Sequence, residues 1–291
     1  MSWRTIAITG RAKLDFKLGY MVVRKQTEQR LFLDDISVII LESTAISLTT
    51  HLIKEIINRK IKVVFCDEFH NPIGEVSGLF NHTSSSANIL EQIKWNEARK
   101  GEVWCEIIRE KIYNQAKILY KFGESVKAEM LISYANDVKN ADITNREGHS
   151  AKVYFNALFG NDFSRGQDSA VNAALNYGYS LILSVFNREI VASGYLTQLG
   201  ISHHNTYNHF NFSCDLMEPF RPFVDNLVRE NDFKEFTSEQ KHIMLNLLST
   251  EVIIEGQKNY ILKSIAIYTK SVINTMNNTG EIKFVEFYKE E

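Results

Sequence analysis

Short apolar and alternating runs fill the first part of the chain and predict β-strands there. Gly10, Gly19 and the pair Asp34-Asp35 separate these runs, as turn residues do. One stretch, Ser47 to Asn58, has its apolar residues at helical spacing and predicts a single helix. We interpret the runs as meandering antiparallel strands. The predicted strands are Trp3 to Thr9, Lys13 to Lys25, Leu31 to Phe32, Ser37 to Leu41, Ile61 to Cys66 and Ile73 to Val76.

The spacing of apolar residues becomes helical after a polar, serine-rich stretch at Asn81 to Asn88. Such stretches form flexible connections, so we predict an N-terminal domain at residues 1–82, a linker at 83–90 and a C-terminal domain at 91–291. The predicted fold class is α+β, with a small N-terminal antiparallel β domain containing one helix, followed by a larger all-α domain. The predicted C-terminal helices are Ile89 to Ala98, Val103 to Phe122, Val126 to Asp137, Thr144 to Phe159, Ser169 to Phe186, Ser238 to Leu248 and Lys258 to Asn274.

Length, composition and charge narrow the class of protein. A chain of 291 residues, 44% hydrophobic and with 3 prolines, is long enough for two domains and is not intrinsically disordered. Its formal net charge of -2 excludes a polybasic nucleic-acid binder as a whole, although a local basic stripe can still hold DNA.

The cysteines and the absence of targeting signals indicate the cellular compartment in which the protein is expected. An odd number of cysteines without a CxxC pair argues against a disulfide scaffold or a structural zinc and indicates a reducing environment. The N-terminus carries no signal sequence, and nowhere do about 18 apolar residues run together. We therefore expect a cytoplasmic protein with no membrane partner.

The densest concentration of candidate chemistry lies between Gly200 and Asp225. If a helix begins at Asp215, then Asp215 and Glu218 share one face at i and i+3, and a preceding histidine can be brought over them. Carboxylate oxygens with an imidazole suit a divalent ion such as Mg²⁺ or Mn²⁺. The alternative is that these acids only cap the start of a helix.

A further acid, Glu147, lies far upstream of this region. Thr144 and Glu147 fit a capping box, in which the glutamate reaches back to the amide of the threonine. Glu147 also shares a helix face with apolar residues, among them Ala151, Tyr154 and Leu158. A carboxylate on a buried face costs free energy unless it is paired or holds a metal, so a partner is expected.

Four motifs together resemble the CRISPR-associated integrase and endonuclease family, the enzyme of spacer acquisition, and are most like its type II-A branch. The β domain followed by helices also agrees with that family over essentially the full length. The motifs are Glu147-Gly-His-Ser-Ala-Lys-Val-Tyr-Phe, Asn172-Ala-Ala-Leu-Asn-Tyr-Gly-Tyr-Ser-Leu-Ile-Leu, Gly200-Ile-Ser-His203 and Asp215-Leu-Met-Glu218-Pro-Phe-Arg-Pro.

The resemblance implies that the helical domain is catalytic and that Glu147, His203 and Glu218 are its catalytic residues and the ligands of Mg²⁺ or Mn²⁺. The family commonly has aspartate where this chain has Glu218. Asp215 and His204 are expected near the site, without a settled contact to the metal. For His204 the alternative is a packed or hydrogen-bonded histidine.

The implied reaction is attack of the 3′-hydroxyl of a short DNA duplex on a phosphodiester of the CRISPR repeat. Transesterification conserves bond energy, which fits the absence of an ATP-binding Gly-x-x-x-x-Gly-Lys-Ser/Thr loop from the sequence. Six residues that flank the candidate ligands are candidates for DNA contact, with solvated or ion-paired surface roles as the alternative. These residues are Arg146, His149, Lys152, Arg165, Arg188 and Arg221.

The resemblance also implies partners. It predicts double-stranded DNA, a homodimer, and a heterohexamer with a small ferredoxin-like CRISPR-associated subunit. A large RNA-guided nuclease and an accessory ring-shaped DNA-binding protein are further expected participants. Phe16 and Tyr20 are candidates for the homodimer contact, with a role in the domain core as the alternative. Two other functions stay open: a structure-specific endonuclease for branched DNA in repair, and a non-catalytic DNA-binding scaffold.

Overall fold

The computed structural model describes residues 4–68, 72–76, 78 and 84–287. The chain divides into two units, Met1–Asn81 and His82–Glu291. Within the described residues, no helix is long and apolar enough to cross a membrane. In chain order, the first unit contains β1 (Arg4–Ile8), β2 (Ala12–Lys17), β3 (Tyr20–Arg24), β4 (Glu28–Phe32), β5 (Ile36–Leu41), β6 (Ile46–Leu48), α1 (Thr50–Asn58), β7 (Lys62–Cys66) and β8 (Pro72–Glu75).

The strands of the first unit form two sheets, ordered β1-β5-β7-β8 and β4-β3-β2-β6. The prediction that all strands are antiparallel is wrong, because β1 and β7 both pair parallel to β5, and β6 pairs parallel to β2. Parallel neighbours need a crossover connection, which α1 supplies between β5 and β7. β5 is apolar except for Ser37 and is buried along its whole length, which is typical of a strand covered on both faces.

The second unit is mostly helical, which confirms the α+β class. Its two longest helices, α3 and α6, carry the largest buried faces. Its elements are α2 (Ser85–Ile93), α3 (Glu97–Lys121), α4 (Ser125–Asn136), α5 (Arg146–Phe159), α6 (Ala170–Ala192), α7 (Asn211–Met217), α8 (Arg221–Asn231), α9 (Ser238–Leu245), β9 (Glu251–Ile254), β10 (Gln257–Tyr260), α10 (Ile261–Met276) and β11 (Val285–Phe287).

The prediction of an all-α second domain is wrong, because β9 pairs with both β10 and β11 in a three-stranded antiparallel sheet. Glu255 and Gly256 turn the chain between β9 and β10 with φ values of 54° and 70°. Two consecutive residues with positive φ form the tight turn that suits a hairpin. The predicted helix at Lys258 to Asn274 consequently begins only at Ile261.

The predicted linker at residues 83–90 is helical from Ser85 onward. Side chains of α2 bind backbone groups of residues 193–199: Asn88 Nδ2 donates to Ser193 O at 2.8 Å, and Gln92 Nε2 donates to Leu196 O at 2.9 Å. These bonds anchor a segment whose serine-rich composition alone favoured a flexible connection. Residue 83 and the end of the predicted N-terminal domain lie outside the described residues.

Candidate metal centre

Asp215 organises the loop that carries His203. It lies in α7, fully buried, and its carboxylate accepts hydrogen bonds from the backbone amides of Ile201, Ser202 and His203 at 2.5, 3.1 and 3.0 Å. Since α7 begins at Asn211, Asp215 is not at the start of a helix. The alternative that Asp215 caps a helix is therefore wrong, because its carboxylate binds the amides of a loop.

The same carboxylate fixes the orientation of the His203 ring. His203 Nδ1 lies 2.6 Å from Asp215 Oδ1. An ionised carboxylate only accepts, so we assign the proton to Nδ1, which leaves Nε2 as the free acceptor. The hydrogen bond to Asp215 raises the pKa of His203, and burial acts against it. A histidine held this way by a carboxylate is oriented as metal-binding histidines are.

Gly200 allows this loop to approach Asp215 closely. A Cβ atom at Gly200 would lie 2.4 Å from the carbonyl oxygen of His203 and 2.7 Å from Asp215 Oδ2. Gly200→Ala is therefore expected to shift His203 and to lower the affinity for Mn²⁺, measured by titration, by at least about tenfold. Gly166→Ala is the matched control, because no atom lies within 4 Å of its Cβ position. Equal Mn²⁺ affinity in the Gly200 variant and the wild type would contradict this geometry.

Glu147 lies in the first turn of α5 but takes no part in its cap. The cap residue is Asn145, whose side chain accepts from Gly148 N at 3.2 Å. Asp142 accepts from the amide of Glu147 at 3.0 Å. The predicted capping box is wrong because Asn145 adopts a left-handed conformation, φ 52°, which moves the cap one residue beyond Thr144. The carboxylate of Glu147 is thus left for another partner.

That partner is Lys111 of α3, a residue that the sequence pattern did not indicate. Lys111 Nζ lies 2.7 Å from Glu147 Oε1 and 2.5 Å from Glu218 Oε2. Lys111 is 7% exposed and Glu218 only 2%. Burial lowers the pKa of Lys111, but the carboxylates of Glu218 and Glu147 outweigh it and raise that pKa overall. One ammonium therefore bridges the two predicted acidic ligands.

Arg221 holds the other oxygen of Glu218. Its Nε donates to Glu218 Oε1 at 2.9 Å, and its guanidinium lies over the ring of Tyr179 at 4.7 Å. Burial raises the pKa of Glu218, but Arg221 and then Lys111 outweigh it and lower the pKa to about 2. Glu218 is therefore an ionised carboxylate enclosed between two cations.

The donor set fits Mg²⁺ or Mn²⁺. Glu218 Oε2 is buried and faces the Lys111 ammonium at 2.5 Å. Glu147 and Glu218 carry the carboxylate oxygens that these ions prefer, and His203 Nε2 would be available as a nitrogen donor. Within the part of the chain that the structure describes, the three do not form a closed cluster of metal ligands. The carboxylates of Glu147 and Glu218 nevertheless both contact one positive charge, the Lys111 ammonium.

The other predicted site residues lie further out. His204 is exposed and lines a cavity of about 430 Å³, together with Lys100, Gly200 and Asn211. Asp215 bonds to His203 and, within the described residues, belongs to no group of potential metal ligands. Asp215 therefore binds the backbone of residues 201–203 and the ring of His203, whereas His204 lies at the surface.

The residues predicted to contact DNA differ in their surroundings. Lys152 is exposed, and the ring of His149 lies 6.4 Å from that of Tyr134. Arg165 donates to Asn176 Oδ1 at 2.6 Å. The remaining three have carboxylate partners, and all six DNA contacts stay predictions. The pairs are Arg146 with Asp137, Arg188 with Glu189 and Arg221 with Glu218.

A buried acid next to the centre gives a pH-dependent prediction. Asp225 of α8 is 1% exposed and accepts a hydrogen bond from the hydroxyl of Tyr179. Burial raises its pKa from 3.8 to about 6, against the hydrogen bond from Tyr179. An acid whose pKa is raised on folding stabilises the protein below its unfolded pKa and loses that contribution as pH rises through the folded value.

We therefore expect Asp225→Asn to stabilise the protein relative to the wild type, and increasingly so from pH 3.8 to about 6. Above that window the gain is on the order of 2–3 kcal/mol, because the amide avoids a buried charge. Urea unfolding at several pH values measures the difference. A difference that does not change with pH would contradict the raised pKa.

Comparison with known proteins places the chain among CRISPR-associated proteins. The family described as CRISPR associated protein Cas1 matches residues 6–255. The CRISPR-associated endonuclease Cas1 of Neisseria meningitidis serogroup C (strain 8013) is 32% identical over 263 residues, which cover 88% of this chain and 86% of that protein.

Two solved structures share the fold at low sequence identity. A casposase bound to its integration product has a TM-score of 0.77 at 18% identity, covering 97% of this chain and 92% of the casposase chain. A chain of a Cas6-RT-Cas1–Cas2 complex has a TM-score of 0.71 at 16% identity, covering 95% of this chain and 35% of that chain. At these identities the likeness establishes the fold alone.

Proposed function

Because this chain belongs to the CRISPR associated protein Cas1 family, we propose that it is a metal-dependent DNA integrase of CRISPR adaptation. It joins the 3′-OH ends of short prespacer DNA to the CRISPR repeat by transesterification. One observation carries the proposal: Glu147 and Glu218 converge on one cation, the Lys111 ammonium. Beside them, Asp215 holds His203 with Nε2 free.

The residues have distinct roles in this reaction. Glu147 and Glu218 hold Mg²⁺ or Mn²⁺ through carboxylate oxygens, and His203 contributes Nε2. When bound, the ion stabilises charge on the phosphoryl and leaving oxygens. Asp215 keeps the proton of His203 on Nδ1. The nucleophile is the 3′-hydroxyl of the incoming DNA: one P–O bond forms, one breaks, and the displaced 3′-oxygen takes up the proton. The bond energies balance, so no ATP is required.

The partners follow from the same proposal. The fold is shared with a casposase bound to integration product and with a chain of a Cas1–Cas2 complex, which supports DNA and a second small subunit as partners here. We propose a homodimer that assembles with a small ferredoxin-like subunit into a heterohexamer. The large RNA-guided nuclease and the ring-shaped accessory protein stay predictions from the family resemblance.

A structure-specific endonuclease is the second candidate function. The Neisseria relative is named an endonuclease, and the same ligands can direct water in place of a DNA hydroxyl at a phosphodiester. A non-catalytic scaffold is disfavoured, because a fold alone does not need the buried ion pair of Lys111 and Glu218, whose desolvation often costs more free energy than apolar packing would.

Strand transfer separates these functions. A labelled short duplex ending in 3′-OH, or in a matched 3′-deoxy terminus, is incubated with a supercoiled plasmid that carries a repeat, in Mn²⁺ or EDTA, with and without the small subunit. We expect label joined to the plasmid only with Mn²⁺ and only from the 3′-OH end. Nicking that does not depend on the 3′-OH would favour the endonuclease. Nicking that survives Glu147→Gln and Glu218→Gln would overturn both readings of the site.

A further inference from the structure

The Lys111 ammonium lies against Glu147 and Glu218, the two carboxylates that would hold a metal ion. Its ammonium contacts Glu147 Oε1 at 2.7 Å and Glu218 Oε2 at 2.5 Å, and the side chain is buried on α3. A divalent ion that uses both of these oxygens needs the space that the ammonium fills. Lys111 and a bound metal are thus alternative partners of the same two atoms.

The two cations of the centre differ in the carboxylate oxygens that they contact and in the stiffness of their side chains. Arg221 binds the other oxygen of Glu218, at 2.9 Å, and its guanidinium stacks on Tyr179. Lys111 has a flexible four-carbon stem and a rotatable ammonium, whereas the planar guanidinium is fixed by two kinds of contact. We therefore expect a bound divalent ion to displace the Lys111 ammonium and to leave Arg221 in place on Glu218.

Charge balance indicates where the displaced ammonium goes. In the structure, the charges of Glu147 and Glu218 are matched by those of Lys111 and Arg221. A divalent ion added to this buried centre leaves an excess of positive charge, which is costly without an anion. A DNA phosphate brought to the metal supplies that anion and attracts the ammonium.

We propose that Lys111 is a resident counter-ion that exchanges with the divalent ion when a DNA phosphate arrives, and so couples metal binding to DNA binding. The proposal rests on the metal-dependent function proposed above. Without DNA, the ammonium competes with the metal for Glu147 and Glu218. With DNA, it pairs with the phosphate and positions the backbone at the metal. Lys111 is in this sense a positioning residue.

Mn²⁺ titration of the free protein and of its complex with a 3′-deoxy duplex tests the coupling, since no strand transfer can occur. We expect DNA to tighten Mn²⁺ binding to the wild type by about tenfold or more. Free Lys111→Met should bind Mn²⁺ about tenfold more tightly than the free wild type, and DNA should add a smaller further gain than it does in the wild type. Lys117→Met, on the same helix but at an exposed position, is the control and should behave as wild type.

The outcomes distinguish a failure of the Lys111 exchange from a failure of the proposed integrase function. If the wild type joins DNA but Lys111→Met binds Mn²⁺ no more tightly than the wild type, the coupling is wrong and the integrase stands. If the wild type neither joins DNA nor binds Mn²⁺ in its complex, both are wrong. Lys111→Gln removes the same charge while keeping hydrogen-bond donors, and it replaces the methionine variant if that fails to fold. A variant that unfolds in EDTA and folds with Mn²⁺ supports the exchange, because the ion then replaces the missing ammonium.

Discussion

Replacing Glu218 with glutamine is expected to reduce metal-dependent strand transfer by about a thousandfold or more, because a lost metal ligand removes several kcal/mol of transition-state stabilisation. The amide keeps the shape of the side chain but removes the charge that faces Lys111 and Arg221. Breaking a buried pair in this way also costs on the order of 3 kcal/mol of stability. Strand transfer and urea unfolding, measured on the same preparation, separate the two effects.

Two variants control for the effect of Glu218→Gln. Glu110→Gln changes a half-buried glutamate of α3, directly before Lys111, that lies outside the centre, and it should leave strand transfer unchanged. Glu218→Asp keeps the charge and introduces the residue that the family commonly has there, so it should retain more activity than the glutamine. Wild-type strand transfer by a folded Glu218→Gln would remove Glu218 from the site.

Asp215→Asn is expected to destabilise the protein by about 3 kcal/mol or more and to weaken Mn²⁺ binding. Its two carboxylate oxygens accept from three backbone amides and face the imidazole of His203. The asparagine amide turns one acceptor into a donor facing other donors, which leaves buried amides unpaired at about 1–3 kcal/mol each. Urea unfolding and Mn²⁺ titration measure the two effects.

Asp225→Asn is the matched contrast, because it also neutralises a fully buried acid but is expected to stabilise the protein above about pH 6. Asp215 is surrounded by donors, whereas burial dominates at Asp225. The two substitutions are chemically identical, so the opposite signs of their effects on stability follow from the different surroundings of the two acids. If both variants destabilise the protein equally at every pH, the account of Asp215 as the organiser of the loop loses its support.

The sequence pattern pointed to Glu147 and Glu218, which the structure brings to one lysine, but it gave no prediction for that lysine. Glu147 stood out as a carboxylate on an apolar helix face. Lys111 lies on the buried face of α3 with Ile107, Ile108 and Gln115, so the same reasoning would have identified it. A lysine within a helix rich in charged residues resembles a solvated face, and only the buried pattern around it shows otherwise.

Backbone conformation and strand pairing were harder to predict. The cap of α5 depends on the left-handed Asn145, and the hairpin at Glu255-Gly256 depends on two positive φ values. The structure differs from the prediction at both places because of one or two residues, whose backbone conformation has only a weak signal in the sequence. Most strands of the first unit were located from their apolar runs, but β6 was missed because its residues overlap the predicted helix Ser47 to Asn58. Parallel pairing is set by how crossovers return the chain, which periodicity does not encode.

Pulsed electron paramagnetic resonance of Mn²⁺ bound to the protein–DNA complex tests the proposed centre itself, because it detects a nitrogen ligand to the ion. We expect an imidazole nitrogen coupling that disappears in His203→Gln. We also expect loss of Mn²⁺ binding in Glu147→Gln and Glu218→Gln, with the wild-type spectrum kept in Glu110→Gln. A nitrogen coupling that persists in His203→Gln, or Mn²⁺ binding unchanged in both glutamate variants, would contradict the proposed centre.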